Sequence, residues 1–322
     1  MRASSVGLGL AVFSAATFGT SGSFASSLMA SGWTPGAAVT VRISLAALML
    51  TVPALLQLRG RWSQLRRSLP TVLAFGVFAV GGAQLFYFNA VNHLSVAVAL
   101  LLEYSGTLLV VGWVWLRHGQ RPRRLTVGGA AIALAGLVLV LDLTGDQRVD
   151  VVGVLWGLAA ATGLAGYFII SSRTEDPLPP LALSWAGLVV GAVILMLLGA
   201  IGAVPMRANM DDADFDGHHV HWLVPVFGLS FVAAAVAYAA GIGAARRLGA
   251  RLASFVGLAE VLFAVLFAWL LLGQQPTPLQ GIGGLVVLAG IALVKADERD
   301  EQPAAVAPEQ EQEPEPEFEP AV

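Results

Sequence analysis

Three charged residues, Arg42, Glu103 and Glu260, lie deep inside long apolar runs of the chain. A charge in the middle of a lipid bilayer is costly, so such residues normally face an internal cavity, pair with each other or mark a transport path. A carboxyl group without a partner in a low-dielectric cavity favours its neutral form, and it can then accept a proton or bind a cationic group of a substrate. The sequence therefore predicts a polar site inside the membrane, with Glu103 and Glu260 as candidates for substrate binding or coupling.

The depth of these residues follows from the rise of an α-helix. Counted from the nearest end of its apolar segment at about 1.5 Å per residue, Glu103 lies about 12 Å deep, Glu260 about 13 Å and Arg42 about 9 Å. At that depth Arg42 could meet Glu103 in a buried ion pair that only locks two helices, or it could extend towards the membrane surface. The competing interpretation is that at least one glutamate lines the substrate path.

Six uncharged polar residues in other apolar segments are further candidates for contacts with a substrate or a coupling ion. Each of them could equally form an interhelical hydrogen bond, which is ordinary packing in lipid. They are Gln84, Tyr87, Asn89, Tyr104, Tyr167 and Tyr238.

The composition places these residues in a helical membrane protein. The 322-residue chain is 57% hydrophobic and 12% charged, which is far more apolar than a soluble domain needs to fill its core. A spanning helix needs about 20 mostly apolar residues. We predict an all-α integral membrane fold with ten spanning segments, at residues 6–27, 36–58, 70–91, 95–116, 125–143, 151–171, 181–203, 222–245, 250–272 and 279–295. Because the chain has no cysteine, a thiol nucleophile and a Cys-ligated metal are excluded.

An internal repeat indicates how these segments are arranged. Residues 94–140 match residues 248–294 at a spacing of 154 residues, with 16 identities in 47 positions. Five segments per copy is an odd number, so the second copy must enter the membrane from the opposite face. We predict two inverted five-helix repeats, at residues 1–145 and 146–296, followed by a disordered acidic cytoplasmic tail at residues 297–322.

The basic residues predict the orientation of the chain. Of the 18 Lys and Arg residues, Arg42 lies within a segment and only Arg148 and Arg207 fall in loops on one side, which leaves 15 on the other side. By the positive-inside rule both termini are cytoplasmic. The longest external loop carries Asp212, Asp214 and Asp216, but the position of the bidentate glutamate of a calcium loop is taken by Leu223, so a solvated acidic turn is the favoured interpretation.

Two stretches resemble a known family. The run Ala259-Glu260-Val261-Leu262-Phe263-Ala264 with Trp269 to Gln274, and the run Leu102-Glu103-Tyr104-Ser105-Gly106, are similar to the EamA family of the drug/metabolite transporter superfamily. The resemblance implies a ten-helix secondary transporter with cytoplasmic termini that exports amino acids, other metabolites or toxic compounds, and whose helices 5 and 10 are peripheral supports. The proline usual in both motifs is Thr107 and Val261 here, which puts a helix bend at those points in doubt.

The resulting hypothesis is a multi-pass exporter in the cell membrane that works by alternating access around a cavity lined by segments 1, 3, 4, 6, 8 and 9. It predicts a small-molecule substrate and the lipid bilayer as partners, and no nucleic acid, metal or cofactor. No nucleotide-binding loop is present, which leaves proton coupling or facilitated diffusion as the alternatives. A membrane sensor or scaffold that uses the acidic tail is the main rival, and an intramembrane enzyme is a weaker one because no deep histidine could serve a serine nucleophile. The oligomeric state is left open.

Overall fold

The computed structural model describes residues 2–94, 96–119, 121–141, 150–173 and 178–301, and these residues are predominantly helical. Helices follow the apolar runs because a backbone in lipid must satisfy its hydrogen bonds internally. The first half contains α1 (Arg2–Ala30), α2 (Pro35–Leu58), α3 (Trp62–Arg67), α4 (Leu69–Ala74), a first π-helix (Phe75–Gly82), α5 (Ala83–His93), α6 (Val96–Tyr104), α7 (Gly106–His118) and α8 (Arg124–Val140).

The second half repeats this order and adds a short hairpin. It contains α9 (Val151–Ser171), α10 (Pro180–Ala200), β1 (Ala213–Phe215), β2 (His218–Val220), α11 (Leu223–Phe227), a second π-helix (Gly228–Val236), α12 (Ala237–Gly257), α13 (Ala259–Leu272) and α14 (Pro278–Glu301). The hairpin stands where the sequence indicated only an acidic turn, and Asp216 and Gly217 form its tight turn with positive φ angles.

Eight of the described helices are long and apolar enough to cross a membrane, and two shorter apolar helices, Arg124–Val140 and Ala259–Leu272, accompany them. The stretch from Leu223 to Gly257 counts as one of the eight, although Gly249 interrupts it with φ +79° and ψ +164°. These apolar helices make the chain a multi-pass membrane protein.

Two continuous helical runs, which we call rods, contain a π-helical section. One rod joins α4, the first π-helix and α5, and the other joins α11, the second π-helix and α12. In the first, Phe75 and Val80 pack against Gly187 and Gly191 of α10, where a Cβ atom would collide with them. In the second, the π-helix packs against α1 and α2. A π-helix is rare and widens the helix locally, often beside a functional site.

The helices α8 and α14 form a tight antiparallel pair. A Cβ added to Gly129 would lie 2.9 Å from the carbonyl oxygen of Gly290, and one added to Gly136 would lie 2.8 Å from that of Gly283. Small residues at these positions let the two backbones approach closely, which is a common way to pack helices in lipid.

The end of α14 differs from the prediction of a disordered tail. We expected disorder from Asp297 onward, but the helix continues to Glu301, and Asp297 is buried and accepts a hydrogen bond from the Thr126 hydroxyl. A buried carboxylate needs such a donor, so Asp297 belongs to the folded part of the chain. The remainder of the predicted tail, residues 302–322, lies outside the described residues.

Both rods that carry the motif glutamates are broken, although the expected prolines are missing. The first break is at Ser105, between α6 and α7, and the second is at Leu258, between α12 and α13. At each break a backbone N–H bonds three residues back instead of four, from Leu108 to Ser105 and from Val261 to Leu258. A helix break with a tighter hydrogen bond is therefore present beside Thr107 and Val261 without a proline.

Candidate functional site

A cavity of about 430 Å³ lies between the helices at the centre of the protein. Its walls come from α1, α2, the two rods with π-helices, α6, α9 and the α12–α13 rod. Eight of the nine predicted site residues line it: Arg42, Gln84, Tyr87, Glu103, Tyr104, Tyr167, Tyr238 and Glu260. A buried cavity with a few convergent polar groups is the usual form of a small-molecule site.

Each of the two glutamates lies beside a helix break. Glu103 lies two residues before the break at Ser105, whereas Glu260 lies two residues after the break at Leu258.

The two carboxyl groups have different partners. Glu260 accepts a hydrogen bond from the Tyr104 side chain and also interacts electrostatically with Arg42. Glu103 faces the negative charge of Glu260 and the hydroxyl group of Tyr87, with no cation beside it among the described residues. Glu260 is thus the compensated carboxylate of the pair, and Glu103 is the uncompensated one.

Arg42 does not form the predicted pair with Glu103. Its side chain is 8% exposed, one terminal nitrogen donates to the Ala233 carbonyl oxygen at 2.6 Å, and the guanidinium lies 5.9 Å from the centre of the Phe18 ring. Its Nε has no hydrogen-bond partner among the described residues. The acceptor Ala233 belongs to the second π-helix, which the sequence did not indicate.

Aromatic side chains form one wall of the cavity. The ring centres are 5.1 Å apart for Phe18 and Tyr238, 5.7 Å for Tyr167 and Tyr238, and 5.0 Å for Tyr167 and Phe168, all edge to face. This geometry is favourable for aromatic pairs. The Tyr167 hydroxyl group is buried without a partner among the described residues. A polar group so placed is available to a bound molecule.

Two members of this wall, Phe18 and Phe168, were missed by the sequence reasoning. Phe18 lies four residues after Ser14 and three before Ser21, which puts all three side chains on one face of α1. That spacing was the available signal. It is weak, because an aromatic residue on an apolar helix usually faces lipid or core.

Asn89 is the one predicted site residue that the cavity does not include. Its side-chain nitrogen donates to the Leu85 carbonyl oxygen of its own helix at 2.8 Å. The nearby Gln84 and Tyr87 do line the cavity. Asn89 therefore fits the alternative of a structural hydrogen bond.

The β-hairpin covers one end of the bundle beside the cavity. Ser27 of α1 donates to the Asp214 carbonyl oxygen at 2.7 Å, and the rings of Phe24 and Phe215 lie 6.1 Å apart. Asp216 reaches the end of α13 at Gly273. Within the described ranges, no group of three or more His, Asp or Glu side chains is arranged to hold a metal ion.

At the same face, a polar contact joins the end of α5 to the start of α9. The Nδ1 atom of His93 lies 2.9 Å from Oδ2 of Asp150, whose other oxygen accepts the Val152 backbone N–H at 2.8 Å. This N-cap bond and the His93 contact hold the pKa of Asp150 below its ordinary value.

Comparison with known proteins agrees with this architecture. The profile of the EamA-like transporter family matches residues 5–142 and 151–296. The transporter YwfM of Bacillus subtilis strain 168 is 26% identical over 70% of this chain and 73% of its own length. The threonine/homoserine exporter RhtA of Escherichia coli strain K12 is 26% identical over 68% of this chain and 69% of its own.

A solved crystal structure that is 22% identical has the same fold, with a TM-score of 0.73 over 93% of this chain and 99% of that one. The family profile covers most of the chain, in two copies that each carry one of the glutamate motifs. The protein therefore belongs to the EamA-like transporter family.

Proposed function

We propose that this protein is a secondary transporter of the cell membrane that exports amino acids or other small metabolites by alternating access, with both termini in the cytoplasm. The observation that carries the proposal is the central cavity, where two carboxyl groups and a buried guanidinium meet at membrane depth. Membrane proteins retain such charges mainly along substrate or ion pathways. The name of the relative RhtA, a threonine/homoserine exporter, favours small zwitterionic substrates.

The chemistry of the cavity suits a zwitterion. The Arg42 Nε has an unused donor for a substrate carboxylate, and the carboxyl groups of Glu103 and Glu260 can accept bonds from an ammonium group. The aromatic wall formed by Phe18, Tyr167 and Tyr238 offers apolar surface for a side chain. A proton on Glu103 would compete with the ammonium group, which is the simplest route to proton coupling.

Alternating access requires two halves that can rock around the site, and we propose the two inverted five-helix repeats, residues 1–145 and 146–296, as those halves. Two structural matches support ten spanning helices in this arrangement. The π-helices Phe75–Gly82 and Gly228–Val236 coincide within one residue when shifted by the repeat spacing of 154. Gly129 contacts Gly290, and Gly136 contacts Gly283. At the repeat spacing of 154 residues Gly129 corresponds to Gly283 and Gly136 to Gly290. Each contact is therefore the repeat counterpart of the other, as a two-fold axis between α8 and α14 requires.

Counterflow in proteoliposomes tests the function. Vesicles loaded with an unlabelled amino acid, amine or sugar are diluted into the labelled compound, with and without a pH gradient. We expect label to accumulate for at least one amino acid, and the Glu103→Gln and Glu260→Gln variants to lower its rate per folded, inserted protein. Folded, inserted protein that exchanges no compound of any class would refute the transporter proposal.

A further inference from the structure

A second cavity of about 470 Å³ lies outside the central one, as a groove among α1, α2, α10 and the α12 rod. Along the rod formed by the second π-helix and α12, the groove extends from Phe231 to Arg247, which is 16 residues or about 24 Å of helix. This is close to the extended length of a phospholipid acyl chain. Almost all of its lining is apolar, and its two polar residues are Gln57 and Arg247.

Arg247 closes one end of this groove and points along it. Its Nη1 donates to the Gly243 carbonyl oxygen one turn earlier at 2.7 Å, so the side chain folds back into the membrane region instead of extending away from it. That bond uses one of the five N–H donors of the guanidinium. Among the described residues no carboxylate lies within ion-pairing distance of Arg247.

A guanidinium beside hydrocarbon is costly unless an anion or water meets it. A phosphate group satisfies it best, because two N–H donors can bind two phosphate oxygens. Gln57, which lines the groove, precedes Arg59 and Arg61 closely in the sequence, just before α2 ends. This end of the groove therefore lies on the arginine-rich side of the protein. Basic pockets between helices on that side recruit anionic headgroups.

We propose that this groove binds one anionic phospholipid, with an acyl chain along the α12 rod, the phosphate on Arg247 and a headgroup hydroxyl on Gln57. The site is separate from the central cavity and does not depend on the proposed function. A lipid held there contacts α2, α10 and α12 together, and therefore ties residues of both predicted repeats.

Native mass spectrometry of the detergent-solubilised protein tests this site. The protein is titrated with phosphatidylglycerol or with phosphatidylcholine of identical acyl chains. We expect one phosphatidylglycerol to be retained preferentially, and the Arg247→Gln variant to bind it about fivefold more weakly, the effect of one arginine near an anionic lipid surface. Equal retention of the two lipids by the wild type would overturn the proposal.

Two further variants separate the groove from general surface charge. The Arg67→Gln variant removes an exposed arginine outside the groove, and it should bind phosphatidylglycerol as the wild type does. The Ala239→Phe variant fills the groove and should weaken retention of both lipids. A fully retained lipid in Ala239→Phe, or an equal loss in Arg67→Gln, would contradict a specific site. Thermal unfolding of each variant confirms that it is folded.

Discussion

The two cavity carboxyl groups differ in what surrounds them, and the difference comes from single residues. Glu260 has the Tyr104 hydrogen bond and the charge of Arg42, whereas Glu103 faces Glu260 and Tyr87. The substitution of Glu260 therefore leaves the Arg42 guanidinium without its counter-charge, whereas the substitution of Glu103 leaves no charge uncompensated. We expect the two carboxyl groups to have different roles. Glu260 balances the charge of Arg42, and Glu103 is free to change its protonation state.

Stability should separate the two glutamates. Glu260→Gln leaves the buried guanidinium of Arg42 without its counter-charge, so we expect a loss of about 1–3 kcal/mol in the free energy of unfolding. Glu103→Gln removes an uncompensated carboxyl group and should leave the stability unchanged or raise it. Thermal unfolding in detergent measures both variants. A larger loss in Glu103→Gln than in Glu260→Gln would mean that the two roles are reversed.

Two amide side chains on α5 offer a matched test of the cavity wall. Gln84 lines the cavity, while Asn89 bonds to its own helix. We expect Gln84→Leu to lower the transport rate and raise the KM, because a polar contact of the cavity is lost. Asn89→Leu should transport at close to the wild-type rate, since only an intrahelical bond of about 1 kcal/mol is removed. Equal effects of both variants would argue against a role of Gln84 in the cavity.

Asp150 predicts a dependence of stability on pH. The Val152 backbone N–H first, and His93 second, hold the pKa of this carboxyl group below its ordinary value of 3.8. A carboxyl group whose pKa is lowered in the folded state contributes its full stabilisation at pH values above its ordinary pKa. That contribution is lost as the pH falls through the lowered pKa. We therefore expect Asp150→Ala, which removes both the cap and the charge, to lower the thermal midpoint near neutral pH, and the difference from the wild type to shrink as the pH falls below 3.8 and through the lowered pKa.

A serine at position 150 separates the two causes. Serine can still cap α9, but it cannot pair with His93 through a charge. Asp150→Ser should recover most of the stability lost in Asp150→Ala if the cap dominates. A midpoint of Asp150→Ala that equals the wild type at every pH would show that neither contact stabilises the fold.

At the scale of elements, close backbone contacts decide which helices can move apart. The pair α8 and α14 is joined at two glycine contacts along its length, whereas the two rods with π-helices border the central cavity. The family resemblance led us to expect that helices 5 and 10 are supports, and no described residue of α8 or α14 lines the cavity. The π-helices and the breaks at Ser105 and Leu258 adjoin the cavity, and Gly249 is a further irregular position within α12.

Two adjacent glycines of α8 test the contact with α14. A Cβ on Gly129 would meet the Gly290 carbonyl oxygen and the Val294 side chain at 2.9 Å, while one on Gly128 meets nothing within 4 Å. Gly129→Ala should therefore lower the free energy of unfolding by roughly 1–3 kcal/mol through overpacking. Gly128→Ala should be neutral or stabilising, because alanine favours a helix. Thermal unfolding compares the two variants, and equal midpoints would contradict the packing described.

At the scale of the whole molecule, the described chain is helical to Glu301, past the point at which the sequence indicated disorder. Removal of residues 302–322 should leave both the thermal midpoint and the transport rate unchanged. Truncation after Val294 should lower the midpoint, since Asp297 then no longer accepts the Thr126 hydrogen bond. Loss of transport in the shorter deletion would favour the rival hypothesis that the acidic tail carries the function.

Hydropathy and rare charges in the sequence were enough to predict the membrane class, the family, the approximate helix bounds and nine candidate site residues, of which eight line the cavity. These features depend on hydropathy and on rare charges in apolar segments, which are local properties of the chain. The orientation and the two inverted repeats are proposals that rest on charge counts and the repeat spacing.

Which charges interact depends on the folded arrangement of the helices. Arg42 and Glu260 are 218 residues apart in the sequence and interact electrostatically. Arg42 is held by the Ala233 carbonyl oxygen of a π-helix and Glu260 follows the helix break at Leu258, and neither feature is marked by a proline. A shift of one residue within a helix turns a side chain by about 100°, so segment depth alone could not choose between Glu103 and Glu260 as the partner of Arg42. The choice was made by packing across the two halves of the chain.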